Sequence, residues 1–251
     1  MKVGFFYSVF KEKRATKYSI EQLRIYYPES SIYLVSDGGL DFSYLEKEYE
    51  NLKTLLEDDT MSGIFEITAG RNGCDYVTGN YRQEKYQNII KKCAYTVLER
   101  ITRAIEYCGN PDWMVMCDPD CLIRGKLNFP AEGKILGSRI NSGVPDGYTN
   151  IIKSIDGAIP ITRWGASPCV FEVQSFLIAL QKFRYLDTTE NLLSKLSMEW
   201  YALCAHDVLF PTIFSLIGEK ETFNPDIIEC TRNSNWRNTS HPLVHQFREY
   251  Y

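Results

Sequence analysis

Trp113-Met114-Val115-Met116-Cys117-Asp118-Pro119-Asp120 is an apolar run that stops at two carboxylates one residue apart. An apolar run of this length without polar alternation fits a strand buried on both faces. Once such a strand leaves its sheet, residues i and i+2 project to the same side, so Asp118 and Asp120 can face one point in space. Pro119 stiffens the backbone between them. Paired carboxylates at a sheet edge suit a hard divalent cation with oxygen ligands, and Mg²⁺-type ions are usually shared with substrate phosphates. The plainer alternative is a turn in which one Asp caps backbone amides. The setting favours a metal–diphosphate site, because a long helix, a Gly109-Asn110 cap and the apolar strand precede the pair in that order.

Upstream, residues 3–10 read as a buried strand. Residues 16–27 follow with Ile20, Leu23 and Tyr27 at helical spacing, ended by Pro28. Residues 31–36 form a second strand closed by Asp37-Gly38-Gly39, then come a short helix over 42–49 and a third strand over 51–56. The segment 58–80 contains Gly63, Gly70, Gly73 and Gly79 and has no period; a loop this long inside a compact domain is uncommon and often functional. Ile89, Ile90, Cys93, Val97, Ile101, Ala104 and Ile105 then stripe one face of a helix over 81–107. Alternation of β and α from the start predicts an α/β fold with a central, mostly parallel sheet flanked by helices. Ligands of such sheets gather beyond the carboxyl ends of the strands, where Tyr7, Ser8, Asp37, Asp118 and Asp120 all fall. Past Asp120 the pattern predicts strands at 134–140, 159–162 and 168–173, and helices at 171–183, 191–204 and 207–217. No repeat, low-complexity tract or linker divides the chain, which reads as one domain over 1–251.

The 251 residues are 44% hydrophobic and 24% charged, with a formal net charge of −4. That balance argues against a general nucleic-acid binder, which needs a basic face to release counterions. A small anionic ligand needs only a few local cations, and Arg71, Arg82, Lys85, Lys91, Lys92, Arg100 and Arg103 precede the key strand, most of them as solvated helix surface. The eight cysteines include no CxxC pair and no zinc-ribbon spacing, so reduced structural thiols are expected. The first ten residues read as a strand rather than a signal peptide, and no stretch approaches the ~20 apolar residues of a membrane span. A soluble, cytoplasmic protein is therefore expected, with no membrane span and no nucleic-acid partner.

Other residues carry two readings each. Asp37 either accepts a hydrogen bond from a base or ribose, or belongs to an Asp-Gly turn. Asp207, in Ala205-His206-Asp207-Val208, opens a helix, either as an N-cap or as a general base toward an attacking hydroxyl. His241 and His245 are tail residues, either on the surface or closing over the site as a metal ligand; Arg248 gives His245 a basic neighbour. Trp164 precedes the small residues Gly165-Ala166-Ser167 and either packs a sugar face or anchors the core.

Taken together, these elements resemble the GT-A class of nucleotide-sugar-dependent glycosyltransferases. The resemblance rests on the N-terminal β/α unit, Asp37, the strand into Asp118-Pro119-Asp120, the Gly165-Ala166-Ser167 loop, the His206-Asp207 step onto a helix and a late histidine. It implies a GT-A, Rossmann-like fold with a nucleotide-binding half over 1–122 and an acceptor-binding half over 123–251. It implies Mn²⁺ or Mg²⁺ held by Asp118, Asp120 and His245. It implies a nucleoside-diphosphate sugar, by default a UDP-sugar, contacted by Tyr7, Ser8, Asp37, Asp118 and Arg100. Asp207 would be the catalytic base of an inverting transfer to a hydroxyl of a glycan or other acceptor. Where an acid often precedes this Asp in the class, the chain has His206, and Gly165-Ala166 replaces a more usual Gly-Gly. Two rivals remain: a haloacid-dehalogenase-like phosphatase with Asp118 as nucleophile, although that motif normally sits on the first strand, and a non-catalytic sugar-binding module.

Overall fold

The computed structural model describes residues 1–57, 80–130, 132–137, 140–141, 143–161, 164–165, 169–229 and 239–245. The chain opens with β1 (Val3–Val9), α1 (Lys13–Tyr26), β2 (Ile32–Asp37), α2 (Leu45–Glu48) and β3 (Leu52–Glu57). After Asn80 come α3 (Glu84–Tyr107), β4 (Trp113–Cys117), β5 (Cys121–Ile123), β6 (Ile135–Gly137) and β7 (Ile140–Asn141). Then follow α4 (Asp146–Lys153), β8 (Trp164–Gly165), β9 (Val170–Glu172), α5 (Val173–Glu190), α6 (Leu192–Glu199) and α7 (His206–Ser215). Three short strands close the described chain: β10 (Thr222–Phe223), β11 (Ile227–Glu229) and β12 (Leu243–His245).

A seven-stranded sheet of order β10-β6-β9-β4-β1-β2-β3 forms the centre. Its pairs are parallel except where β9 meets β4 and β6, so the mostly parallel α/β sheet expected from the sequence is what the chain forms. Alternation along β1 and β4 supplies both faces. Phe5, Tyr7, Val115 and Cys117 pack with Ile20 and Leu23 of α1, while Phe6, Met114 and Met116 pack with Leu98, Ile101 and Ile105 of α3. Every residue of β4 is buried, the condition its unbroken apolar run demands. Phe171 of β9, Phe176 of α5, and Phe210 and Phe214 of α7 meet with ring centroids 4.8–6.3 Å apart, which fixes α7 against the sheet.

The turn into β4 has a local cause. Gly109 (φ +65°) takes the left-handed conformation that ends α3; its N–H bonds Glu106 O, and Asn110 N–H bonds Ile105 O. These are the two bonds of a Schellman cap, and glycine adopts the required φ at little cost.

Several boundaries differ from expectation. Helix α1 starts at Lys13 rather than at residue 16, because Lys13 and Arg14 precede its buried stripe of Ala15, Thr16, Ser19, Ile20 and Leu23. The overlapping strand at 168–173 and helix at 171–183 divide at Glu172/Val173, and α5 runs on to Glu190, where Asn191 (φ +55°) breaks it. The helix expected over 191–204 splits at Trp200 (φ −148°), whose extended backbone leads into a 3₁₀ turn at Tyr201–Cys204. Residues 159–161 form no strand. The glycine-bearing loop lies outside the described residues apart from Asn80. So do Arg71, Cys74, Ala166, Ser167, Cys230 and Arg248. The other six cysteines are free and buried, and no described helix is long and apolar enough to cross a membrane.

Candidate functional site

The acidic pair sits on a tight turn at the carboxyl end of β4. Cys121 N–H bonds Asp118 O at 3.0 Å, while Asp118 N–H points to Cys121 Sγ at 3.3 Å, so Pro119 and Asp120 form the tip before the chain re-enters β5. Strand β12 pairs antiparallel with β5 in the register Leu243↔Ile123, Val244↔Leu122 and His245↔Cys121. Arg124 N–H to Pro242 O (2.6 Å) and an Arg124 guanidinium bond to Thr239 O (2.6 Å) hold the returning tail. This pairing, non-local in sequence, carries His245 to the motif. Its Nε2 lies 3.4 Å from Asp120 Oδ1 and 3.7 Å from Asp118 Oδ2. His241 is elsewhere, its ring nitrogen bonded to the Thr239 hydroxyl. Of the two tail histidines, His245 is the one beside both carboxylates.

His245 is only 8% exposed, and its Nδ1 is buried without a hydrogen-bond partner. Burial disfavours its charge, yet hydrogen bonds to Asp118 and Asp120 override that and push the imidazole from 6.5 up to about 10. Cys121, read from the sequence as a structural thiol, is also close: its Sγ and donor atoms of Asp120 and His245 all lie within 4.8 Å of one another. Burial raises that thiol well above its usual range, and Cys117, Asp118 and Asp120 add to the effect. Carboxylate, carboxylate and imidazole at these distances could hold Mn²⁺ or Mg²⁺.

Asp207 lies in the first turn of α7. Burial raises its carboxyl, and the charge of Asp118 adds to this; His206 and the backbone N–H groups of Asp207 and Val208 act the other way. Asp207 is thus a carboxyl steadied by the positive end of a helix.

Three residues expected at the donor, Tyr7, Asp37 and Arg100, make contacts within the protein instead. Tyr7 is fully buried, its hydroxyl bonded to Ser19 Oγ at 2.8 Å, because its position on β1 points the ring toward α1; half-buried Ser8 faces the other side of the sheet. Asp37 and Arg100, placed separately at the donor by sequence, instead form an internal ion pair. Arg100 Nη2 meets Asp37 Oδ1 at 2.6 Å and Arg100 Nε meets Glu57 Oε2 at 2.6 Å, with side chains 3% and 0% exposed for Arg100 and Asp37. Arg103 also pairs with Glu57. The pairing depends on α3 packing across β2 and β3, which neither residue's sequence neighbourhood discloses.

One further acid escaped the sequence reading. Glu221 precedes edge strand β10, and its surroundings push its carboxyl from 4.5 up to about 8, burial first and the charge of Asp207 second. An acid that holds its proton longer in the folded chain favours folding below about 4.5 and loses that contribution as pH rises through about 8. Glu221→Gln is accordingly expected to flatten the fall in thermal midpoint over that pH interval; a calorimetric pH series as steep as that of the wild type would contradict it. The sequence held no cue, since Lys220-Glu221-Thr222 looks like ordinary solvated edge strand.

No protein-family model matches the chain, and no curated protein matches its sequence. Among solved structures it is similar to the galactosyltransferase LgtC in complex with donor and acceptor sugar analogues, at 9% identity and a TM-score of 0.37, covering 96% of this chain and 86% of that one. An active-site mutant of LgtC gives 8% identity and a TM-score of 0.41, with 98% and 88% covered. The apo bifunctional glycosyltransferase WbbM gives 10% identity and a TM-score of 0.44, covering 99% of this chain and 46% of that one. At these values the likeness is one of chain course alone, and the chemistry has to be read from the site.

Proposed function

We propose that the chain is a metal-dependent glycosyltransferase of the GT-A class that moves a sugar from a nucleoside diphosphate to a hydroxyl of a glycan or other acceptor, with inversion. One observation carries this reading: pairing of β12 with β5 brings His245 within 3.4 Å of Asp120 and 3.7 Å of Asp118, at the carboxyl end of the central strand. That is where open α/β sheets bind nucleotides. A site built only for stability would not need a buried imidazole with an orphaned nitrogen between two carboxylates.

Asp118, Asp120 and His245 would hold the cation. When bound, Mn²⁺ or Mg²⁺ supplies Lewis-acid stabilisation of the charge on the departing diphosphate. Asp207 takes the proton of the acceptor hydroxyl as its oxygen bonds the anomeric carbon. The electron pair of the breaking bond leaves with the diphosphate. A raised carboxyl is a stronger base than an exposed one, which suits Asp207 to this proton transfer. Loss of a positioned general base typically costs about 10²–10⁴-fold in rate. Asp207→Asn is therefore expected to lower kcat by that order while leaving donor KM within about twofold, and steady-state kinetics with a UDP-sugar panel and Mn²⁺ checks it. Unchanged kcat would remove Asp207 from this role.

A further inference from the structure

A thiol stands directly across from the histidine of the cation seat. In the antiparallel pairing of β12 with β5, Cys121 is the residue opposite His245. Side chains opposite one another in such a pair leave the sheet on the same face, with Cβ atoms about 4.5–5.5 Å apart. The donor atoms meet accordingly: Cys121 Sγ, an Asp120 carboxylate oxygen and a His245 ring nitrogen all lie within 4.8 Å of one another. Cys121 is fully buried, whereas the side chains of Asp120 and Asp118 are 13% and 30% exposed. The thiol is therefore the innermost of these donors and Asp118 the outermost.

Packing alone would ask only for a small apolar side chain at this position. Two observations ask for more. Asp118 N–H points to Cys121 Sγ at 3.3 Å, a contact that favours negative charge on the sulfur. His245, 8% exposed, leaves Nδ1 without a hydrogen-bond partner, which is rare for a buried polar group unless a ligand completes its surroundings.

We propose that Cys121 is a ligand of the cation, so that Asp118, Asp120, His245 and Cys121 form a mixed oxygen, nitrogen and sulfur seat that favours borderline-soft ions such as Zn²⁺ and Co²⁺ over Mg²⁺. This rests on the cation seat of the glycosyltransferase reading and adds to it the chemistry that chooses the ion. Metal bonds of about 2.0–2.3 Å put donor atoms around one tetrahedral ion roughly 3.3–3.8 Å apart. His245 Nε2 and Asp120 Oδ1, at 3.4 Å, already have that spacing. The thiol has at most about 1.5 Å to close. As the ion binds, the S–H electron pair becomes the sulfur–metal bond and the proton passes to solvent. Mg²⁺ gains little from that exchange, because it is a hard cation that prefers oxygen; Zn²⁺ and Co²⁺ gain, because thiolate is a soft donor.

The test uses the full chain, stripped of metal by a chelator and titrated with Co²⁺ alone. The wild type should develop the near-ultraviolet charge-transfer absorption of a sulfur–cobalt bond, complete at one equivalent. Cys121→Ala and His245→Ala should both abolish it, the second because the sulfur belongs to this seat and not to another of the buried cysteines. Competition between Zn²⁺ and Mn²⁺, followed by the paramagnetic resonance of Mn²⁺, reads the selectivity. Cys121→Ala should weaken Zn²⁺ about tenfold or more and Mn²⁺ less than about threefold. The wild-type spectrum needs no variant, so a substitution that fails to fold does not shelter the inference. Bound Co²⁺ without a sulfur band in the wild type overturns the inference and leaves the glycosyltransferase reading intact, as does a band that survives Cys121→Ala. Co²⁺ that keeps the spectrum of the aqueous ion throughout overturns both.

Discussion

Asp120→Asn should abolish Mn²⁺-dependent sugar transfer without unfolding the chain. Asparagine keeps the volume and one carbonyl oxygen of the side chain, so the turn that bonds Asp118 O to Cys121 N–H is undisturbed. What it removes is one of the two charges that face His245 Nε2. Metal ions stabilise developing charge by several kcal/mol, so losing the ion from its seat corresponds to roughly 10³-fold or more in rate. The thermal midpoint should stay within about 3 °C, the shift expected for about 1 kcal/mol in a chain of this size. Asp118→Asn should behave alike. Activity near the wild-type level in either variant, measured with Mn²⁺ and a UDP-sugar panel, would show that the acidic pair serves only the turn.

Arg100→Met should be the most damaging substitution for stability. Arg100 bridges Asp37 and Glu57 at 2.6 Å each, and both it and Asp37 are shut away from solvent. Desolvation opposes the guanidinium charge, but the hydrogen bonds and charges of Asp37 and Glu57 raise its pKa nonetheless. Methionine fills much of the same volume and removes the guanidinium that meets Asp37 Oδ1 and Glu57 Oε2. Breaking a buried pair from one side costs about 3–5 kcal/mol, because an uncompensated charge stays behind. Urea unfolding should report a loss of that size. Replacing Asp37 and Arg100 together by Leu and Met should recover part of it, since removing both charges removes the stranded one. A loss under about 1 kcal/mol for Arg100→Met would mean that water reaches the pair.

The legible part of this fold was the part built from local pattern. Trp113–Cys117 ended at both expected residues because an apolar run buried on two faces has no ambiguity of face. The acids at its tip were readable for the same reason. Helices α1 and α5 were readable in type but not in extent, since their ends are polar and carry no stripe. What the sequence withheld was decided by contacts between distant segments. Strand β12 is three residues long, too short to announce itself, yet its register with β5 is what distinguishes His245 from His241. The Asp37–Arg100 pair needed the packing of α3 on the sheet, so two residues expected at a ligand turned out to hold each other. Tyr7 was placed at the correct strand end but on the face turned toward α1. Glu221 had no signal at all, because a single acid on an edge strand is ordinarily solvated.

The most direct test of the cation seat is the electron paramagnetic resonance of Mn²⁺ titrated into the chain with UDP present. Protein-bound Mn²⁺ should lose the sharp spectrum of the aqueous ion at one equivalent, and Asp120→Asn and His245→Ala should restore it. A wild-type spectrum that remains that of free Mn²⁺ throughout the titration would contradict the central claim that Asp118, Asp120 and His245 exist to hold a cation against a diphosphate.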